Sequence, residues 1–267
     1  MSSARLMVRS PTINVMTMAA EKAGRAMIRD FNEIEHLQVS KKSLGDFVST
    51  ADHRSEKILV AELRKARPSY SFLLQESGTI EGSDSEYRGI IDPIDGTTNF
   101  LHGIPHFAIS IGLQRGDDIV AGVIYNPATD EMYWTERGHG SFLNQRRLRV
   151  SGRKNLDEVV VAVGGPYGAQ GDVAQYLQTL SKIIPQTAGI RRMGATALDF
   201  AFVAAGRFDA CFATDFYPWD VAAGILMVKE AGGYVNTLDG TSDALVSASV
   251  LATNEHLCLP LQKMLTD

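Results

Sequence analysis

The spacing of apolar positions changes twice along this chain. Ser10-Pro11 supplies a hydroxyl that can cap a helix and a proline suited to its first turn. Ile13, Met16, Ala20, Ala23, Met27 and Phe31 then recur at helical spacing, which predicts an amphipathic helix from residue 11 to about 31. A second helix is predicted over residues 52–66, with Ile58, Leu59 and Leu63 inward and Pro68 just past its end. The pattern then shortens. Ser71-Phe72-Leu73-Leu74 and Gly89-Ile90-Ile91 are short apolar runs bounded by turn residues, expected as buried strands. Residues 107–114, 119–125, 131–135 and 141–143 form a predicted β-meander, with turns at Arg115-Gly116-Asp117 and Asn126-Pro127-Ala128-Thr129. Beyond about residue 150, strands (159–163, 208–213, 249–252) alternate with helices (172–184, 195–205, 219–231), and Asn254 is expected to cap a last helix. With short connections and no internal repeat, the chain is expected to form one α/β (α+β) layered domain over residues 1–267, with lobes dividing near residue 150.

Composition mainly excludes. A chain of 267 residues, 45% of them apolar, can bury a full core without disulfide or metal staples. No apolar run approaches the length of a membrane span, and the first fourteen residues lack a signal-peptide block, so the cytoplasm is the expected location. The net charge is −5, and the basic clusters Lys41-Lys42 and Arg146-Arg147-Leu148-Arg149 are short enough to be solvated turns. Direct nucleic-acid binding is therefore not expected. Cys211 and Cys258 stand in separate apolar stretches and are expected as reduced core thiols.

The densest chemistry lies in Ile90-Ile91-Asp92-Pro93-Ile94-Asp95-Gly96-Thr97-Thr98-Asn99-Phe100. An apolar strand delivers Asp92 to a sheet end, where Pro93 is expected to stop the ladder because it has no N–H to donate. Asp95 follows after two residues, and Gly96 supplies backbone freedom. Clustered carboxylates suit hard divalent cations, and the hydroxyls and free amides behind them suit phosphate. A turn rich in Asp, Gly and Thr is common on structural grounds alone, but the full string is not. A further carboxylate, Asp220, opens a predicted helix in Pro218-Trp219-Asp220-Val221-Ala222-Ala223-Gly224. It suits the macrodipole there, and it stands where a cation could also collect it.

Together with Glu230-Ala231-Gly232-Gly233, Asp46-Phe47-Val48-Ser49-Thr50-Ala51-Asp52 and Gly194-Ala195-Thr196, these two segments resemble the signatures of the inositol monophosphatase family, most closely its bacterial extragenic-suppressor type. The resemblance runs from the first helix to at least Gly233. It implies a layered αβαβα sandwich, two or three Mg2+ ions, lithium sensitivity and a homodimer. It further implies that Asp92, Asp95, Asp220 and the Ile94 carbonyl hold metal, and that Gly96, Thr97 and Thr98 bind phosphate through their amides. Thr97 would orient the attacking water. Lys41 and Asp52 match positions that hold metal-bound waters, while Asp95, Asp220 and the Gly194, Ala195 and Thr196 backbone would meet the rest of the substrate.

The chain departs from that pattern at two positions. Leu74-Gln75-Glu76-Ser77-Gly78 carries Gln75 where the family has a ligating glutamate. An amide oxygen can ligate Mg2+, but it binds less strongly than a carboxylate and cannot take a proton. In Cys211-Phe212-Ala213-Thr214-Asp215, Ala213 replaces a carboxylate that meets inositol hydroxyls, and Gly164-Gly165-Pro166 lacks the family's substrate-contacting serine. Asp215 lies nearby in sequence. His102 and His106 flank Gly103-Ile104-Pro105, and the proline argues against paired helical ligands, so loop and packing roles are expected. Neither a phosphate-binding G-x-x-x-x-G-K-[ST] loop nor a G-x-S-x-G elbow occurs.

The expected activity is metal-dependent hydrolysis of a small phosphate monoester, inositol 1-phosphate or a related polyol or sugar phosphate. Alternatives are a phosphatase for another sugar or nucleotide phosphate, and a catalytically weakened regulatory protein that contacts a protein of the transcription machinery.

Overall fold

The computed structural model describes residues 9–43, 46–166, 171–238, 243–247 and 249–266, with the backbone alone at 41–43 and 46. In chain order the helices are α1 (Pro11–Phe31), α2 (Thr50–Ala66), α3 (Thr97–Leu101), α4 (Val173–Ile183), α5 (Thr196–Ala204), α6 (Pro218–Glu230) and α7 (Cys258–Thr266). The strands are β1 (Val39–Ser43), β2 (Asp46–Ser49), β3 (Ser71–Leu74), β4 (Gly78–Ile80), β5 (Tyr87–Asp95), β6 (Ala108–Arg115), β7 (Asp118–Asn126), β8 (Glu131–Glu136), β9 (Gly140–Leu143), β10 (Arg146–Arg147), β11 (Val160–Val163), β12 (Gly189–Arg191), β13 (Ala210–Thr214), β14 (Tyr234–Thr237) and β15 (Ser249–Thr253).

Helix α1 begins as its sequence dictates, with the Ser10 hydroxyl accepting from the Ile13 amide at 3.2 Å and Pro11 in the first turn. Its stripe of Ile13, Met16, Ala20, Ala23 and Met27 packs with Leu59 and Leu63 of α2 onto one face of an eight-stranded sheet. That sheet has the order β10-β9-β8-β7-β6-β5-β3-β4 and is antiparallel except where β3 runs parallel to β5. On its other face lie α5 and α6, which share a second core with Ala162, Cys211, Ala213, Val250 and Ala252 of a five-stranded sheet. The far face of this second sheet, Val161, Val163, Phe212 and Leu251, meets Ile183 of α4 and Leu261 of α7. Period-two alternation divides β13 and β15 between the two cores. The five layers are helix, sheet, helix, sheet, helix.

Helix α6 seats closely on the large sheet because glycines face it. A Cβ on Gly112 of β6 would stand 2.9 Å from the Ala222 Cβ, and one on Gly122 of β7 would stand 3.0 Å from the Ala223 Cα. The Ser110 hydroxyl also donates to the Trp219 carbonyl at 3.2 Å, which fixes where α6 begins relative to β6.

Several local expectations are corrected. Pro93 does not stop β5: pairing with β6 runs from Asp92–Ser110 to Asp95–Ala108 with one extra residue on β5. A bulge leaves one residue unpaired, so the missing proline N–H costs nothing there. The β1–β2 hairpin, β4 and β12 carry too few apolar residues for periodicity to reveal them. Asn254 folds a turn by accepting from His256 and Leu257 amides, and α7 starts only at Cys258. Cys211 and Cys258 are free and buried, as expected. Among the described residues no helix is long and apolar enough to cross a membrane.

Candidate active site

Four elements converge at the Asp95 end of β5. Asp92 is buried beside the bulge, and its Oδ1 accepts from the Ile94 amide at 3.0 Å. Gly96 adopts φ 91°, and a Cβ there would press on the His106 and Gly194 carbonyls, so glycine is required on both counts. The chain then turns into α3, whose first amides have no intrahelical acceptor. The Thr97 hydroxyl stands 3.0 Å from both Asp52 Oδ1 and the Ile94 carbonyl. Thr98 is exposed.

Asp95 serves a second helix. Ala195, at the N-cap of α5, offers no side-chain acceptor; instead Asp95 accepts from the Thr196 amide at 3.2 Å and the Ala197 amide at 2.7 Å. The β5 bulge is thus fastened to the start of α5, and the Thr196 amide is already engaged. Asp220 lies in the first turn of α6 and accepts from the Tyr217 amide at 2.8 Å, a helix-end role that the sequence allowed. Its carboxyl also lies close enough to Asp92 for its charge to raise that group. Asp220 is therefore brought to Asp92 and Asp95 although more than a hundred positions separate it from them in sequence.

Loss of water, then the charges of Asp95, Asp220 and Asp52, raise the Asp92 carboxyl well above the ordinary carboxylate range. Asp95 is pushed up to about 8 by burial and then by Asp220, against the pull of the α5 amides. Asp220 is raised to about 6 by burial, with the Tyr217 amide and Asp92 opposing. Burial raises Asp52 as well, although Ser49 and Thr97 donate to it. Among the described residues no group of three or more His, Cys, Asp or Glu side chains stands ready-made as a metal cage. The carboxylates accept from amides instead, and a cation between them would offset the mutual repulsion that raises them.

Gln75 fits such a centre. Its amide donates to the Ile91 carbonyl at 3.2 Å, and Leu74 pairs with Ile91 in parallel register, so Gln75 follows beside Asp92. Its Oε1 is buried and has no hydrogen-bond partner among the described residues. Leu74 and Ile91 belong to the α1/α2 core, so alternation turns Gln75 and Asp92 to the α6 side and Glu76 away. Lys41 lies on β1, and its side chain falls outside the described residues.

Small uncharged residues line the flank beyond Thr196. A Cβ on Gly164 would meet the Ala213 Cβ at 3.2 Å and the Thr196 Oγ1 at 3.6 Å. Asp215 has a positive φ of 55°, and its carboxylate lies against Gly171. His102 turns its Nδ1 to the Thr98 carbonyl, and the half-buried His106 packs edge-on against Phe202, both loop and packing roles.

Three residues that sequence reasoning missed hold the site together. The Asn99 amide donates to the His106 and Met193 carbonyls, both at 2.8 Å, tying α3 to the segment before α5. Ser55 and Glu56 of α2 grip the loops from the other side. Their only signal in the sequence was a polar pair on a predicted helix. A cavity of about 610 Å3 opens at the opposite end of α6, between Asp118, Arg137, Lys229 and Asn236, and involves none of these residues.

Comparison with known proteins gives a consistent result. The profile of the inositol monophosphatase family matches residues 9–265. An inositol-1-monophosphatase of Mesorhizobium japonicum is 54% identical over 257 residues, covering 96% of this chain and 97% of the relative. The Nus factor SuhB of Pseudomonas aeruginosa is 41% identical over 248 residues, covering 91% and 92%. Among solved structures, the extragenic suppressor protein suhB of Bartonella henselae superposes with a TM-score of 0.94 at 50% identity, covering 97% and 99%.

Proposed function

Because the chain belongs to the inositol monophosphatase family, we propose that it is a phosphoric monoester hydrolase acting with Mg2+ on a small polyol or sugar phosphate such as inositol 1-phosphate. The observation that carries this reading is the gathering of buried Asp92 and Asp95 with Asp220, whose charges act on one another, next to the open first turn of α3. Asp92, Asp95, Asp220, the Gln75 Oε1 and the Ile94 carbonyl would hold the metal. Bound Mg2+ supplies polarisation of a phosphoryl oxygen and a lowered pKa for the water it carries.

The remaining chemistry belongs to the chain. The amides of Gly96, Thr97 and Thr98 bind the phosphate oxygens and orient the phosphorus toward β5. The Thr97 hydroxyl donates to Asp52 and keeps lone pairs free to accept from a water held on the phosphate's open side. A proton leaving that water passes to Thr97 Oγ1 as the Thr97 proton passes to Asp52. Asp95 holds the start of α5 against the reacting centre. Gly164, Ala213 and Thr196 leave space without charge for the alcohol. The proposal includes a cytoplasmic homodimer inhibited by lithium.

Asp92→Asn tests it. The variant is expected to lose Mg2+-dependent phosphate release from inositol 1-phosphate almost entirely. Hydrolysis at the parent rate would sink the assignment.

A second reading also has support. A relative named Nus factor SuhB matches at 41% identity, and Gln75 and Ala213 both weaken the sequence argument for a fast polyol phosphatase. Under that reading the chain is a slow enzyme that contacts a protein of the transcription machinery. Turnover of inositol 1-phosphate far below that of the Mesorhizobium relative, assayed side by side, would favour it.

A further inference from the structure

Helix α2 turns three buried polar residues toward the site, spaced so that all three share one face: Asp52, Ser55 and Glu56. Each grips a different loop. Asp52 holds Thr97 at 3.0 Å, and the Ser55 hydroxyl donates to the Pro93 carbonyl at 3.0 Å, across the β5 bulge. Glu56 takes the turn after β3: its Oε2 accepts from the Glu76 amide at 2.9 Å and the Ser77 amide at 3.4 Å, and its Oε1 accepts from the Ser77 hydroxyl.

Glu56 is only 3% exposed, and among the described residues it has no ion-pair partner. A buried carboxylate satisfied solely by neutral donors is costly to keep. Its donors come from the two residues after Gln75. Gln75 itself has an Oε1 that is buried, unpartnered and beside Asp92. One turn therefore joins a buried carboxylate to a buried amide oxygen that accepts no hydrogen bond among the described residues.

We infer that Glu56 is a positioning residue for the metal centre: its carboxylate fixes the 75–77 turn so that the Gln75 oxygen faces Asp92, and it lends that turn the negative charge Gln75 lacks. The inference rests on the hydrolase reading above. Oriented ligand oxygens bind cations more tightly because less ordering remains to be done on binding. Changes at residues that orient metal ligands typically cost about 10–100-fold in affinity.

The test is Mg2+ binding by calorimetry on the full-length protein, with Glu56→Gln, Glu56→Asp and the exposed-side partner change Ser77→Ala. Glu56→Gln should weaken Mg2+ binding by about tenfold or more, Glu56→Asp should recover part of that loss by keeping the charge, and Ser77→Ala should weaken binding by a smaller factor. Adding Gln75→Glu to Glu56→Gln should restore most of the affinity, because the lost charge returns one side chain away. If the Glu56→Gln protein melts earlier yet binds Mg2+ as the parent does, the residue is merely structural and the inference is overturned. Should Glu56→Gln fail to fold, parental Mg2+ affinity in Ser77→Ala overturns it equally. A parent protein that binds no Mg2+ overturns the hydrolase reading and this inference together, whereas parental binding with inert variants overturns this inference alone.

Discussion

At the scale of single residues, the site is held by side chains that each satisfy two demands. Asp95 supplies the cap that Ala195 cannot, and it adds a carboxyl to the cluster. Asp220 caps α6 and meets Asp92. Gln75 is the exception, since its Oε1 accepts from no group among the described residues. An isosteric carboxylate there would add charge where an ion is expected and a group able to accept a proton. Gln75→Glu is therefore expected to raise Mg2+-dependent phosphate release by at least about tenfold, the lower region of what a positioned base contributes. An unchanged rate, measured at saturating Mg2+, would mean that position 75 does not face the reacting centre. Asp92, Asp95, Thr97 and Asp220 were legible because they sit in dense, specific strings. Asn99 was inside the same string, but its bonds to residues 106 and 193 depend on contacts no local pattern encodes.

At the scale of elements, the site depends on how closely α6 approaches β6 and β7. Gly112 and Gly122 permit that approach, and Asp220 is delivered by it. Gly112→Val would force a side chain against Ala222, where even a Cβ stands at 2.9 Å. Overpacking of this kind costs roughly 1–3 kcal/mol. Urea denaturation should register that loss, and Mg2+ affinity should fall with it as Asp220 is lifted from Asp92. Parental stability would show that α6 has slack. The long helices and the meander were readable from their periodicity. The bulge at Pro93 was not, because a strand with one extra residue and a strand that ends carry the same local sequence.

At the scale of the whole molecule, five carboxylates with raised pKa make stability depend on pH. The metal-free folded state holds protons on Asp52, Asp92, Asp95, Asp199 and Asp220 more tightly than the unfolded chain does, burial being the largest cause at each. Between the ordinary carboxylate range and about 8, the folded state thus binds more protons, and stability must fall as pH rises through that interval. Melting temperature of chelator-treated protein should be higher at pH 5 than at pH 8.5, and added Mg2+ should raise it more at the higher pH. A melting temperature that climbs across this range without metal would show that the cluster does not retain its protons.

The sequence by itself determined the helices with strong apolar stripes, the alternating strands, the α/β class and the presence of an Asp-rich, Thr-lined motif, because each of these is written in neighbouring residues. Only the tertiary structure decided that Asp220 reaches Asp92, that α5 draws on Asp95 for its cap, and that α2 grips both loops through Ser55 and Glu56. These are contacts between distant segments. They are set by how five layers stack, and stacking is fixed by packing and close approach, which leave only single glycines and isolated polar residues as their trace in the chain.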